Sequence, residues 1–112
     1  MITEIVFFRL PTTMSRDELV EKYRASVPTW RANSDLVHKS FLHDERARLG
    51  GGVYLWKSLE AAQRVHGEAF RQRIRTVFGS DPEFQYFDSP IVIDNVAAAV
   101  IDEAGSTPLP AH

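Results

Sequence analysis

LVHKSFLHDERARLGGGVYLW, residues Leu36 to Trp56, is the stretch that decides the fold. Leu36 to Asp44 has the composition of a strand, and Gly52 to Lys57 that of another, with Val53 and Leu55 on one face and Tyr54 and Trp56 on the other. Between them Glu45 to Gly51 is polar and ends in glycines, which predicts a hairpin connection. A hairpin in the middle of the chain is informative because of what flanks it.

On the N-terminal side, Ile2 to Leu10 predicts a strand that points Ile2, Val6, Phe8 and Leu10 one way and Ile5 and Phe7 the other. Pro11 ends it. Ser15-Arg16-Asp17-Glu18 has the form of a capping box, and Leu19, Val20, Tyr23, Val27 and Trp30 continue as an apolar stripe at helical spacing. Pro28 lacks a backbone N–H, so a kink or an early end is expected near it. On the C-terminal side, Ser58 is an N-cap candidate for a second helix reaching Phe78, with Gly79 as its C-terminal stop. Gly67 costs about 1 kcal/mol relative to alanine inside a helix, so a bend or break is expected there. Glu83 to Asn95 predicts a last extended segment, in which Pro90 belongs at an edge, bulge or corner.

The order strand, helix, strand, strand, helix, strand predicts an α+β chain: a ferredoxin-like βαββαβ domain with an antiparallel four-stranded sheet, spanning residues 1–95. Residues 96–112 form a C-terminal extension, apolar from Val96 to Ile101, then a loose tail from Gly105 to Pro110. Several strands carry large apolar groups on both faces, whereas two helices cover only one face of a sheet. The other face needs a cover, supplied by a second copy in a homodimer or by the C-terminal segment.

Composition narrows the function. The 112 residues suit one domain, and 44% apolar with 25% charged residues is ordinary for a globular chain. A formal charge of −2 gives no support for a nucleic-acid or membrane-surface partner. There is no cysteine for a disulfide, a thiolate metal site or a thiol nucleophile. No apolar run approaches the ~20 residues of a membrane span, and the start lacks the form of a signal peptide, so a cytoplasmic protein is the simplest expectation. Gly50-Gly51-Gly52 precedes a strand rather than a helix and therefore predicts a turn, not a phosphate cradle. His38 and His43 fall on opposite strand faces, and no other histidine and carboxylate set has metal-ligand spacing.

The second helix holds the candidate site. At about 100° per residue, Leu59, Ala62, Ala69, Phe70 and Val77 share a sheet-facing side with His66 and Arg73. A polar group there must find a partner, reach solvent or line a cavity, because burying it alone costs several kcal/mol. For His66 the alternatives are a catalytic base and a core histidine bonded to a carbonyl. For Arg73 they are an anion-steering group and a snorkelling or ion-paired side chain. His38 faces the core or a dimer seam. Trp30, Tyr23, Tyr54, Trp56 and Phe70 are either wall residues of a pocket for a flat ligand or plain core.

His38-Lys39-Ser40 onward, GGVYLW at Gly51 to Trp56, the helix carrying His66, and SPIVIDN at Ser89 to Asn95 resemble the YdhR-type monooxygenases of the dimeric α/β-barrel superfamily, which also holds the antibiotic-biosynthesis monooxygenases. The resemblance covers about Leu36 to Asn95. It implies a dimer whose sheets form a barrel, with a pocket between sheet and helices in each subunit. It also implies oxygenation of an aromatic or quinol-like molecule without metal or flavin, the deprotonated substrate itself reducing oxygen. His66 resembles a helix histidine of that family and would be the base, with Trp30, His38, Tyr54, Trp56, Phe70 and Arg73 around the substrate. HGEAFRQRI after His66 departs from the family's pattern. The competing expectation is a non-catalytic small-ligand-binding or stress-related dimer. An isomerase or lyase using the same base is a third.

Overall fold

The computed structural model of the protein describes residues 1–102 and 105–108. Its first seven elements are β1 (Ile2–Arg9), α1 (Arg16–Arg31), β2 (Leu36–Asp44), β3 (Leu49–Trp56), α2 (Leu59–Val65), α3 (Glu68–Phe78) and β4 (Glu83–Asp88). The strands form one four-stranded sheet in the order β2-β3-β1-β4 with every neighbouring pair antiparallel, the ferredoxin-like arrangement. Ser15 and Ser58 cap α1 and α2 through hydrogen bonds from the backbone N–H groups of Glu18 (3.1 Å) and Ala61 (3.2 Å). The core joins Val6 and Phe8 of β1 and Tyr54 and Trp56 of β3 to Leu19 of α1, Ala61 and Ala62 of α2, and Phe70, Ile74 and Phe78 of α3. All the strand members lie on one face, so the helices form a single layer over it. On the other face Ile5 pairs across from Val53, with Phe7, Leu55 and the half-exposed Phe87 nearby and no helix among the described residues over them. Among the described residues no helix is long and apolar enough to cross a membrane.

The expected second helix is two helices. His66 closes α2 at φ −98°, ψ 46°, and Gly67 opens α3 from an extended conformation. The break resets the helical phase. Phe70, Ile74 and Phe78, four apart, are buried, whereas Ala69 and Val77 of the expected inner face are exposed. A helical wheel carried through Gly67 fails for this reason. Pro28, by contrast, does not end α1, which continues to Arg31.

The glycine run is not a turn. Gly50, Gly51 and Gly52 are buried inside β3, and the connection shrinks to Glu45 through Arg48. These positions are glycine because side chains lie across Gly50 and Gly52 and the Val6 backbone lies against Gly51. The Tyr23 hydroxyl donates to the Leu42 carbonyl (2.8 Å) and accepts from the Gly51 N–H (2.9 Å), so it bridges β2 and β3. A Cβ on Gly50 would sit 2.7 Å from that hydroxyl. A β-irregularity between Leu36 and His38 also separates two residues expected on one face: Leu36 pairs with Trp56 and His38 with Leu55.

The expected strand Glu83 to Asn95 is broken at Ser89-Pro90. Beyond it, β5 (Ile91–Asp94), β6 (Ala99–Asp102) and β7 (Gly105–Pro108) form a separate antiparallel three-stranded sheet. Asn95, the expected domain end, lies in the turn between β5 and β6. Gly105 to Pro108 pair with β6 rather than hanging loose, while residues 103, 104 and 109–112 of the extension lie outside the described residues. Ile91, Ile93 and Val96 expose 64%, 65% and 100% of their surface, so this sheet carries an apolar side of its own.

Gly51 has φ 154°, and a Cβ there would meet the Val6 carbonyl oxygen at 1.8 Å. Gly51→Ala should therefore destabilise the fold by about 3 kcal/mol through strain and overpacking. Chemical denaturation of the variant beside Gly67→Ala, whose Cβ meets nothing nearer than 3.8 Å, checks this. The Gly67 variant should lose far less.

Candidate functional site

β1 alternates Ile2, Glu4, Val6 and Phe8 toward the helices, so a carboxylate lies in the middle of an apolar row. Glu4 has no solvent exposure. Its Oε1 stands 2.6 Å from Nδ1 of His66 and accepts the Trp56 indole N–H at 2.9 Å. His66 reaches it from the α2–α3 junction, where the His66 backbone N–H is bonded to the Ala62 carbonyl (2.9 Å). One hydrogen sits between Nδ1 and Oε1. Glu4 Oε2 and His66 Nε2 are buried without a hydrogen-bond partner. Around the imidazole stand the rings of Phe70 (4.3 Å between centroids), Tyr54 (4.7 Å), Phe84 (5.6 Å), Trp30 (5.8 Å) and Trp56 (6.0 Å). Tyr86 is opposite Glu4 in the sheet register, and partial burial followed by the Glu4 carboxylate raises its pKa.

On the other side of several of these rings is a cavity of about 270 Å³ between sheet and helices. Tyr23, Ser26 and Trp30 of α1 form one wall, and Phe70, Arg73, Ile74 and Phe78 of α3 another. Phe8, Gly51, Tyr54, Phe41 and Lys39 line it from the sheet. The Lys39 ammonium donates to the Tyr54 hydroxyl at 2.6 Å and lies over the rings of Trp30 (3.8 Å), Tyr54 (3.9 Å) and Phe41 (4.2 Å). Burial pulls the Lys39 pKa down to about 7, partly opposed by Glu4. Burial, then the charge of Glu4 and the nearness of Tyr23, pushes the Tyr54 hydroxyl well above its usual range. Tyr54 is therefore a neutral donor or acceptor at any physiological pH.

The structure sorts the residues singled out in the sequence. Trp30, Tyr54, Phe70 and Arg73 line the cavity. His66 does not: its side chain is fully enclosed, and the cavity-lining rings of Trp30, Tyr54 and Phe70 stand against it. Trp56 is likewise behind the wall, stacked on Tyr54 and bonded to Glu4. His38 is exposed on the edge strand β2, beside Val37 and Arg31 at a shallow cleft. Gly67 takes Arg73 out of phase with His66, so Arg73 is exposed at the cavity while His66 is buried. Sequence reasoning missed Glu4 and Lys39. Glu4 carried a signal, a charged residue on the inward parity of an apolar strand, whereas β2 has apolar residues on both parities and left Lys39 unmarked. Among the described residues no group of three histidine, aspartate or glutamate side chains is placed to hold a metal ion.

No family model matches the sequence, and no curated protein matches it. Among solved structures the chain is similar to SnoaB, a cofactor-independent oxygenase from Streptomyces nogalater, in the crystal structure of a single-residue mutant. The TM-score is 0.58 and the sequence identity 14%, over 79% of this chain and 91% of that one. At that identity the likeness establishes a shared fold.

Glu4→Ala leaves the Trp56 N–H and His66 unpartnered in the core and should cost about 3–5 kcal/mol, the usual penalty for halving a buried pair. Glu4→Gln keeps an acceptor oxygen and should cost less than half as much. Urea denaturation of the two variants beside the parent measures the difference. Equal losses would mean that side-chain volume, not the hydrogen bonds, is what Glu4 supplies.

Proposed function

We propose that the protein is a cofactor-independent monooxygenase acting on an aromatic or quinol-like small molecule held between the sheet and the helices. The observation that carries this reading is the aromatic-walled cavity in which the Lys39 amine, set among three rings, is hydrogen-bonded to Tyr54 on the wall. The fold shared with SnoaB supports it. A phenolic substrate gives its O–H proton to the Lys39 amine, whose pKa of about 7 suits proton exchange near neutrality. The resulting anion passes one electron to dioxygen. Superoxide and substrate radical combine at a ring carbon, and the peroxide takes its proton back from Lys39. Loss of water then leaves a carbonyl. In sum, for an anthrone, whose enol tautomer is the phenol, a CH₂ group and O₂ become C=O and H₂O, with no outside reductant. Glu4 and His66 act from behind the wall, fixing Tyr54 and Phe70. The sequence-derived alternative makes His66 itself the base.

A second reading, a non-catalytic small-ligand-binding dimer, is favoured by one observation: the Glu4–His66 pair is sealed from the cavity. In both readings the working unit is a homodimer. The uncovered sheet face, with Ile5, Phe7, Val53, Leu55 and Phe87, and the exposed Ile91, Ile93 and Val96 of the C-terminal sheet support that assembly.

Oxygen-electrode assays with anthrones, phenols and quinols should show uptake of one O₂ per product without added metal or flavin. Lys39→Met should lower kcat by about 10²–10⁴, the range for loss of a general base. If His66 takes the proton, that loss appears in His66→Gln instead. Binding without oxygen uptake by any substrate would favour the second reading. Light scattering at low micromolar concentration should give twice the chain mass, and a stable monomer would remove the dimer from both.

A further inference from the structure

Three cationic side chains line the cavity, Lys22, Lys39 and Arg73, and no aspartate or glutamate does. None of the three enters a salt bridge among the described residues, where Glu21, Asp35, Glu68 and Asp81 pair instead with Arg24, Arg64 and Arg75. Composition does not explain this, since the whole chain has a formal charge of −2. The cations are also graded in depth. Lys22 and Arg73 are exposed, whereas Lys39 lies further in, against three aromatic rings and the Tyr54 hydroxyl. A cleft with low-dielectric walls and charge of one sign concentrates ions of the other sign. The apolar walls, Phe8, Phe41, Phe70 and Phe78 among them, fit flat rings.

We propose that the cavity selects a flat aromatic molecule bearing an anionic oxygen, which Lys39 and Tyr54 hold inside while Arg73 and Lys22 attract it at the mouth. This rests on the reading above and names its substrate class: a phenolate, or an aromatic acid whose carboxylate or sulfonate takes the same place. The buried ammonium gains a counter-ion on binding, which removes part of the cost of its desolvation. A neutral ligand of the same shape leaves that cost in place.

The test is calorimetric titration at pH 6 with 2-naphthalenesulfonate, anionic throughout the accessible pH range, beside neutral 2-naphthylmethanol and a cationic naphthylmethyl-trimethylammonium salt. The sulfonate should bind about tenfold or more tightly than the alcohol, the scale of one charged hydrogen bond, and the cation most weakly. Lys39→Met should remove that advantage, so that sulfonate and alcohol bind the variant with similar affinity, Lys39→Arg should restore much of it, and Arg73→Gln should lower it in part. Glu4 from β1, Tyr54 from β3, Lys22 and Tyr23 from α1, Arg73 from α3 and His66 from the α2–α3 junction face this region. Sulfonate affinity in the parent should fall as pH rises through about 7, where Lys39 loses its proton. That step should vanish in Lys39→Met and persist in His66→Gln, which assigns it to Lys39 rather than to the histidine. A sulfonate that binds no more tightly than the alcohol overturns the inference, whatever the oxygen electrode gives. Lys39-dependent sulfonate binding with no oxygen uptake upholds it and removes the oxygenase reading alone.

Discussion

A carboxylate cut off from water lies beneath the helix layer, and the packing around it follows from the need to satisfy it. Taking such a charge out of water costs several kcal/mol, and an apolar core returns none of that. Glu4 recovers it from two donors remote in sequence, Trp56 on the neighbouring strand and His66 at the helix break. Each donor arrives only if a larger piece of the fold is in place. The Trp56 indole requires the β1–β3 register that sets Ile2 against Trp56 and Glu4 against Tyr54. His66 requires α2 to stop where it does, with the chain turning at Gly67 before α3 begins. Three elements are thus tied to one oxygen atom. A one-residue slip of β1 would turn Glu4 to the open face and leave both donors in the core without an acceptor.

That constraint also shapes the cavity. With Trp56 drawn to Glu4 and stacked on Tyr54, the Tyr54 ring is fixed and its hydroxyl meets Lys39. The imidazole stands against Tyr54 and Phe70 from behind, so two wall residues are held by a group that never enters the space they enclose. The opposite side is set by Tyr23, whose hydroxyl replaces a direct bond between Leu42 and Gly51 and so stitches α1 to the sheet. Glycines are required there because the Tyr23 hydroxyl, the Val6 carbonyl and the Tyr54 ring occupy the room that Cβ atoms on Gly50, Gly51 and Gly52 would need. The run Gly50 to Gly52 is therefore part of the cavity's architecture, although it touches no phosphate and makes no turn.

How much of this was legible in the sequence depended on the range of the signal. Local signals were reliable: the serine caps at Ser15 and Ser58, the alternation of β1 and β3, and the break at Gly67 all stand as the residues indicate. Signals that combine local phase with tertiary contact failed. The wheel that placed Val77 and Ala69 inward assumed one helix, and the phase was lost at the break. Pro28 signals a kink or an early end, and α1 runs on past it to Arg31, because a helix packed along its length tolerates one missing hydrogen bond. Glu4 and Lys39 escaped notice because charged residues are ordinarily exposed and an apolar pattern is read by its apolar members. The inward parity of Glu4 was visible and that of Lys39 was not, and the partners that make both tolerable come from distant segments. His66 was legible as buried and polar, yet not as one half of a pair whose other half is on β1.

The separation between His66 and the cavity bears on what kind of chemistry the fold can support. A general base must come within hydrogen-bond reach of the proton it removes, directly or through one water. The imidazole is bonded to Glu4 through one nitrogen and closed in by aromatic rings around the other. Direct contact with a ligand in the cavity would require Tyr54 or Phe70 to move aside, and both are packed in the core. Lys39 lies on the cavity wall itself, with no ring between it and the enclosed space. Its low pKa and its position share one cause: the rings that bury the amine also line the space a flat ligand would fill. An amine kept near its own titration point by apolar walls can take a proton from a phenol and then, as the ammonium, hold the phenolate it has made. In the proposed oxygenation, base and counter-ion would be the same group in its two protonation states, an economical arrangement for a cavity with no carboxylate among its described lining residues.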